Sequence, residues 1–174
     1  MSEVRKYPKR LIEVDLPIRK ISEHARREKS LRHGHINALH IWWARRPLGA
    51  CRAVLCAALW PDPSDARCPP AFRKEAAAAL REFAVQVRED RRVMELCRDH
   101  WSRWRNTDSS WFGRDDPGSW IDLRGAVLDF IADFANWDAA TVPAFLETAR
   151  RITKAAYGDV PPVVFDPFAG GGAF

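Results

Sequence analysis

Residues 71–87 read AFRKEAAAALREFAVQV, and this stretch decides the fold class. It predicts an α-helix because its apolar residues recur every three or four positions, as they do on one face of a helix. Those residues are Phe72, Ala76, Leu80, Phe83 and Val87. The same spacing resumes from Val93 to Trp104, after a charged run at 88–92. We therefore predict one long helical region over 71–104, with a solvated junction or bend at the charged run.

Shorter helices are predicted on both sides of this region. The first begins at Pro17 and the second near Pro47, because proline fits the first turn of a helix. Two more follow a polar, glycine-containing loop at 106–119; they span about 121–135 and about 142–156, and Gly158 ends the last. Residues 11–16 are a short extended candidate, and the proline-rich residues 60–70 form a loop.

Composition favours a folded chain without a membrane span. Hydrophobic residues make up 47% of its 174 residues, and eight tryptophans are among them, which argues against disorder. No apolar run approaches the thickness of a bilayer and no signal-peptide hydrophobic region follows the N-terminus, so we expect cytoplasmic residence and no membrane partner. Cys51, Cys56, Cys68 and Cys97 form no Cys-x-x-Cys pair and are predicted to be buried free thiols.

Positive charge is concentrated in the N-terminal third. Residues 1–54 hold 13 Lys and Arg against five Asp and Glu, whereas the other 120 residues hold 15 against 18. This third can meet a polyanion such as nucleic acid, although a solvated basic face has the same composition. The candidates for phosphate contact are Arg26, Arg27, Lys29, Arg32 and Arg45. His33 and His35 do not share a helix face, so we predict no metal site.

Tryptophans flank the polar loop at 106–119. They are Trp101, Trp104, Trp111 and Trp120, and arginines lie among them in the sequence. Stacking on nucleic-acid bases is one use of such residues. Anchoring a long loop is the other, and it is the more common one.

The C-terminal residues 161–174 read PPVVFDPFAGGGAF. A β-branched and aromatic run ends on Asp166 and passes at once into glycines, as where a parallel strand delivers a ligand to backbone amides. Glycines let a ligand approach the main chain, and the helix expected next favours a carboxylate or phosphate. The alternatives are an ordinary glycine turn and a dinucleotide-binding fingerprint.

This tail resembles motif I of S-adenosylmethionine-dependent DNA methyltransferases, whose loop wraps the methionine part of the cofactor. The resemblance implies cofactor contacts from Asp166, Pro167, Phe168, Ala169, Gly170 and Gly172. The fold that it implies is a Rossmann-like α/β domain, of which 163–166 is the first strand.

Residues 40–48, HIWWARRPL, are similar to motif X of the same enzymes. That motif is a His-x-x-x-Lys-Pro-Leu segment, which opens a helix and lines the other side of the cofactor. The similarity implies cofactor contacts from His40, Arg46 and Pro47, with arginine in place of lysine and a longer gap after the histidine. The alternative is that the two tryptophans of the segment are core aromatics and its arginines are solvated.

Longer segments resemble a large adenine-specific DNA methylase family of bacteria and archaea, which has an N-terminal domain of unknown function. They are 10–18 (RLIEVDLPI), 25–35 (ARREKSLRHGH), 39–48, 130–137 (FIADFANW) and 166–172. The resemblance implies that the full-length protein uses S-adenosylmethionine to methylate adenine N6 in double-stranded DNA, in a restriction-modification or phage-defence system. It also implies two kinds of protein partner, the missing methyltransferase portion and defence-system subunits.

The 174 residues lack the Asp/Asn-Pro-Pro-Tyr/Phe loop that binds the flipped adenine in this class. Residues 159–163 hold two prolines, but an extra residue separates them from the acid and no aromatic follows directly. We therefore assign no catalytic residue. We predict that the chain alone transfers no methyl group and binds the cofactor weakly at best.

The predicted fold is mostly α, a helical N-terminal region that leads into the first strand of a truncated α/β methyltransferase domain. It divides into a basic segment with the motif X-like helix (1–60), a helical insertion (61–157) and the first strand with its glycine loop (158–174). The predicted function is the N-terminal part of an adenine-N6 DNA methyltransferase. The alternatives are a non-catalytic helical module for nucleic-acid binding or complex assembly, and an RNA or protein methyltransferase.

Overall fold

The computed structural model describes residues 7–30, 47–107, 112–163 and 165. Seven α-helices follow one another in this part of the chain: α1 (Ile18–Ser30), α2 (Leu48–Leu59), α3 (Pro70–Glu89), α4 (Arg91–Leu96), α5 (Trp101–Asn106), α6 (Pro117–Phe134) and α7 (Pro143–Tyr157). Short 3-10 helices lie at Leu11–Glu13, Arg98–His100 and Trp137–Thr141. No strand occurs among the described residues, and the mostly α fold class is confirmed.

Prolines and aspartates set where several helices begin. Helices α3, α6 and α7 each begin on a proline, which lacks the amide hydrogen that a first turn leaves unbonded. Between α3 and α4, Asp90 Oδ1 accepts hydrogen bonds from Arg92 N at 2.7 Å and from Val93 N at 3.3 Å. The junction predicted in the charged run 88–92 is therefore confirmed as the end of one helix and the capped start of the next.

The core is built around Phe83 of α3. The centroid of its ring lies 5.1 Å from Trp104 in α5, 5.0 Å from Phe130 in α6 and 4.9 Å from Phe145 in α7. All three pairs meet edge to face, an arrangement that aromatic quadrupoles favour. Helices α3 and α7 form the most extensive helix pair in the described part of the chain. The apolar face predicted for 72–87 is buried as expected.

Residues 11–16 are not extended, and that prediction is wrong. Leu11–Glu13 form a 3-10 helix, in which the Glu13 carboxylate accepts a hydrogen bond from Arg10 N at 2.9 Å. Leu11 is fully buried, whereas Ile12 is exposed. The amide of Leu11 donates to Trp60 O at 3.1 Å, so tertiary contact with the end of α2 fixes this segment.

The loop after α2 is held to α3 by Arg73. Its Nε donates to Pro63 O at 2.8 Å and its Nη2 to Asp65 O at 2.6 Å, while its guanidinium lies 3.7 Å from the centroid of Trp120. Trp120 thus packs on the residue that holds the loop after α2, and its Nε1 donates to Asp115 Oδ1 at 3.1 Å in the polar loop before α6, as a loop anchor does. Trp104 is buried in the core, so it too is structural, and Trp111 lies outside the described residues.

Both sides of the predicted boundary at residue 60 contribute to one core. Leu11 and Ala57 belong to the same buried cluster as Phe130. Trp60 is fully buried, and its Nε1 donates to Thr153 Oγ1 of α7 at 3.0 Å. The helices of 1–60 and 61–157 thus pack as a single unit where they are described.

The described residues beyond α7 are mostly exposed. Gly158 ends the helix with a positive φ of 68°, as its position predicted. Val163 and Phe165 are 95% and 85% exposed and lie in no strand, because the described part offers them no neighbouring strand to pair with. The predicted strand is thus absent at these two residues. Val164 and residues 166–174 lie outside the described ranges.

All four cysteines are free; Cys68 and Cys97 are buried, and Cys51 and Cys56 are partly buried. The prediction of free thiols is therefore confirmed, and full burial holds for two of them. Within the described ranges, none of the helices has the length and apolar character needed to cross a membrane.

Candidate functional site

The N-terminus of α2 is where the sequence predicts one wall of a cofactor site. Pro47 precedes the helix in an extended conformation, with φ −64° and ψ 124°, and α2 begins at Leu48 as predicted. The first amides of a helix have no partner within the helix, and they attract anions. Whether this end of α2 can bind an external anion therefore depends on whether these amides already have a partner.

The carboxylate of Glu28, near the end of α1, occupies the start of α2. Its Oε1 accepts a hydrogen bond from Leu48 N at 2.7 Å and its Oε2 accepts one from Gly49 N at 3.1 Å. The residue is 3% exposed. A carboxylate bound to the first amides satisfies two unpaired donors and is favoured by the helix dipole. A carboxylate of the protein itself thus fills this position, and the amides of Leu48 and Gly49 are not free to bind an external anion.

Helix α2 approaches the end of α6 closely at Gly49. A β-carbon at this position would overlap the carbonyl oxygen of Ala135 and would lie 3.3 Å from Glu28 Oε2. Only glycine leaves room for this backbone contact. The contact fixes the start of α2 against α6 and holds Glu28 in reach of its amides.

Arg52, one turn further along α2, ties the helix to the segment after α6. Its Nη2 donates to Asn136 O at 3.0 Å, and its guanidinium lies 4.3 Å from the centroid of Phe134. Burial lowers the pKa of Arg52. Its buried Nε has no hydrogen-bond partner within the described part of the chain. Asn136 in turn caps the next 3-10 helix, because its Oδ1 accepts from Asp138 N at 3.1 Å.

A largely apolar cavity of about 350 Å³ lies beside α2. It is lined from α2 by Leu48, Cys51, Arg52, Leu55, Cys56 and Leu59, and from the other side by Trp137, Ala140 and Thr153. Burial raises the pKa of Cys56 to about 12, so its thiol stays protonated at neutral pH and is a poor nucleophile.

The predicted phosphate-contact residues that are described all lie near the end of α1. Arg26, Arg27 and Lys29 are exposed. Arg27 Nη2 forms an ion pair with Asp138 Oδ2 at 3.2 Å, which links α1 to the 3-10 helix after α6. Because Glu28 lies between Arg27 and Lys29 and binds Leu48 N and Gly49 N, this end of α1, with its cations, lies beside the start of α2.

The remaining predicted site residues lie outside the described ranges, and their assignments stay predictions. For the cofactor they are His40, Arg46, Asp166, Pro167, Phe168, Ala169, Gly170 and Gly172. For nucleic acid they are Arg32 and Arg45. His33 and His35 are also outside, and the described ranges hold no group of three or more His, Cys, Asp or Glu that could bind a metal ion.

A second polar cluster, centred on Asp133 of α6, was not predicted. Asp133 is 3% exposed; its Oδ1 lies 2.7 Å from His100 Nδ1, and its Oδ2 accepts a hydrogen bond from Trp104 Nε1 at 2.8 Å. His100 Nε2 lies 3.5 Å from Asp129 Oδ1, so both ring nitrogens have acidic neighbours. The partners are 29 and 33 residues apart, and no short-range spacing indicates them. The carboxylates of Asp133 and Asp129 both have partners, which favours a structural role for this cluster.

Replacing Glu28 with glutamine is expected to lower the free energy of unfolding by about 1–2 kcal/mol, because the helix cap loses its charge and one acceptor becomes a donor. Urea unfolding followed by circular dichroism measures the change. The matched control is Glu95→Gln, which removes the same charge from an exposed pair with Arg91. It is expected to cost less than about 0.5 kcal/mol. Equal losses in the two variants would contradict a capping role for Glu28.

The His100–Asp133 pair predicts a pH dependence of stability. Burial lowers the pKa of His100, but the hydrogen bond to Asp133 and the charges of Asp133, Asp129 and Asp99 outweigh it, so the pKa is raised. Because the pKa of His100 is higher in the folded state than in the unfolded state, binding of the proton stabilises the folded state. The stabilisation is fully present below pH 6.5, about the pKa in the unfolded state, and it is lost as pH rises through the pKa in the folded state. Between pH 6 and 9 the unfolding free energy should fall more steeply for the wild type than for His100→Gln.

Urea titrations at intervals across that range test this expectation. His24, whose pKa is lowered by burial, is present in both proteins, and its contribution cancels in the difference. Parallel curves for the two proteins would rule out a proton-linked contribution from His100.

Comparison with known proteins gives one partial match. Residues 15–86 are similar to a family described as "Protein of unknown function (DUF1156)". The matched stretch includes α1, α2 and most of α3, and so includes Glu28 and the start of α2. No curated protein and no solved structure matches the chain. The family description states no activity, so the resemblance to DNA methylases stays a prediction.

Proposed function

We propose that this chain is the N-terminal part of an S-adenosylmethionine-dependent DNA methyltransferase, which modifies adenine N6 within a restriction-modification or phage-defence system. The observation that carries the proposal is the tail 161–174, in which a β-branched and aromatic run ends on Asp166 and passes into a glycine loop. The exposure of Val163 and Phe165 supports it, because β-prone apolar residues without sheet neighbours fit a strand whose sheet is supplied by further chain.

The second support is the position of α2. The motif X-like segment requires a helix that opens after Pro47, and α2 begins at Leu48. Because Glu28 binds the first amides of α2, we assign recognition of the cofactor carboxylate to the Arg46 cation and not to the end of the helix. The cavity beside α2 offers apolar surface to an uncharged part of the cofactor.

Duplex DNA is the proposed macromolecular partner. Arg26, Arg27 and Lys29 are exposed cations at the same end of the molecule as the start of α2. Guanidinium and ammonium groups in this position suit contacts to the phosphate backbone, which supply affinity without reading sequence. The base-specific contacts and the catalytic loop belong, in this proposal, to protein beyond the 174 residues.

The proposal is tested by comparing the 174-residue chain with a longer protein that includes the reading frame after Phe174. We expect the longer protein to transfer tritiated methyl groups from S-adenosylmethionine to unmodified duplex DNA, with N6-methyladenine detected by mass spectrometry. The short chain should transfer none and should show no micromolar cofactor binding by calorimetry. Asp166→Ala in the longer protein should remove activity.

A longer protein that methylates RNA or protein, or that binds no S-adenosylmethionine, would overturn the proposal. The packed helical unit favours one alternative, a binding or assembly module without catalysis, because all the described core residues lie before the tail. That alternative is supported if the longer protein binds DNA or a protein partner and transfers no methyl group.

A further inference from the structure

Helix α1 is anchored to the rest of the molecule by one apolar and one polar residue. Of its 13 residues, only Ile21 and Glu28 are buried. Glu28 accepts the hydrogen bonds from Leu48 N and Gly49 N, and Ile21 reaches the hydrophobic cluster. These two residues anchor α1 to the molecule independently of its exposed charges.

Two cations of α1 are paired with carboxylates from other elements. Arg27 Nη2 lies 3.2 Å from Asp138 Oδ2, and Lys20 Nζ lies 2.6 Å from Asp99 Oδ2. Lys20 Nζ also lies 3.1 Å from Glu23 Oε2 in its own helix. All of these groups keep substantial contact with solvent, so a competing anion can reach them.

The other two exposed cations near the end of α1 differ from these. Arg26 and Lys29 form no ion pair with any residue in the described ranges. Helix α1 therefore carries cations that are already paired with carboxylates, Lys20 and Arg27 among them, and two cations, Arg26 and Lys29, that have no carboxylate partner among the described residues.

We propose that Asp138 and Asp99 compete with DNA phosphate for Arg27 and Lys20, so that DNA binding exchanges two internal ion pairs for phosphate contacts. This inference rests on the DNA-binding part of the proposed function. An exposed ion pair contributes little to stability, and its rearrangement therefore costs little. Each carboxylate lowers DNA affinity in two ways, because it neutralises a cation and repels the phosphate backbone.

The exchange leaves α1 in place. Glu28 and Ile21 do not depend on Asp138 or Asp99, so Asp138→Asn releases the Arg27 guanidinium while the helix stays docked. Circular dichroism of the variant should match the wild type, which separates a freed cation from a detached helix.

Fluorescence anisotropy with a labelled duplex of about 20 base pairs, over a series of salt concentrations, tests the proposal. Asp138→Asn and Asp99→Asn should each tighten binding about threefold at low salt, in line with the loss of one exposed ion pair. Each should also steepen the slope of log K against log salt by up to about 0.9, because one more phosphate is neutralised. Arg27→Gln should cancel the gain from Asp138→Asn.

The matched control is Glu82→Gln, which makes the same change in net charge at a carboxylate paired with Arg151 of α7. If it tightens binding as much as Asp138→Asn, net charge accounts for the effect and the competition is wrong. Unchanged or weaker binding of both aspartate variants also overturns the competition, while the proposed function stands if the wild type binds DNA. Absence of DNA binding by the wild type and every variant overturns both the competition and the DNA contact proposed for α1.

Discussion

Replacing Gly49 with alanine is expected to lower the free energy of unfolding by about 3 kcal/mol, the upper end of the range for overpacking. The added β-carbon overlaps the carbonyl oxygen of Ala135, a main-chain atom that cannot turn aside as a side chain can. Helix α2 and the end of α6 must therefore separate. Separation strains the hydrogen bonds of Glu28 with α2 and of Arg52 with Asn136. Urea unfolding followed by tryptophan fluorescence measures the loss.

Gly118 supplies a matched control, because it is the second residue of α6 just as Gly49 is the second residue of α2. A β-carbon at Gly118 meets only the side-chain oxygen of Asp116, at 3.3 Å. Gly118→Ala should therefore change the free energy of unfolding by less than about 1 kcal/mol, because the slight shift required of the Asp116 side chain opposes the smaller loss of backbone entropy for alanine in a helix. Similar losses at both glycines would attribute the effect to the helix position and not to the contact with Ala135.

The second large effect is expected for Asp133→Asn, with a loss of about 3 kcal/mol in the free energy of unfolding. The carboxylate is buried, and its two oxygens face the donors His100 Nδ1 and Trp104 Nε1. An asparagine has one acceptor oxygen, so its amide NH₂ must face one of these donors, and the ion pair with His100 is lost. Urea unfolding measures the stability, and the near-ultraviolet circular dichroism of the tryptophans reports the packing around Trp104.

Asp138→Asn is the chemically identical change at an exposed site. Its carboxylate pairs with Arg27 at the surface, so the expected loss is less than about 1 kcal/mol. Equal losses in the free energy of unfolding for the two substitutions would mean that burial of Asp133 does not increase its contribution to stability. A stable Asp133→Asn variant with unchanged near-ultraviolet signal would contradict the assigned role directly.

The positions of helices could be predicted from the sequence where the spacing of apolar residues marks a buried face. Apolar spacing located α3 and α7 because one face of each is buried and the other meets solvent. Helix α6 begins at Pro117, four residues before the predicted start. Its first turn includes Gly118 and Ser119 and lacks apolar spacing, and the cap by Asp116 sets the boundary instead.

Contacts between residues far apart in the sequence determine the features that local sequence patterns did not predict. The residues at 11–16 suit a strand by composition, but burial of Leu11 against α2 and the Glu13 hydrogen bond to Arg10 N select a 3-10 helix. Arg27 was predicted as a phosphate contact from its basic surroundings, yet its partner Asp138 is 111 residues away in the chain. Glu28 lies within the same basic run, and sequence offered no sign that it is buried and caps another helix.

The packing of α3 determines whether the segment 15–86 can stay folded when α6 and α7 unfold. Similarity to the DUF1156 family ends at residue 86, inside α3, whereas the principal partner of α3 is α7, at Pro143–Tyr157. A polypeptide of residues 15–86 would leave Phe83 without Phe130 and Phe145, the rings that surround it. The segment recognisable by similarity is therefore shorter than the cooperative unit. Denaturation should melt α2, α3, α6 and α7 in one transition, with no stage at which the matched segment survives alone.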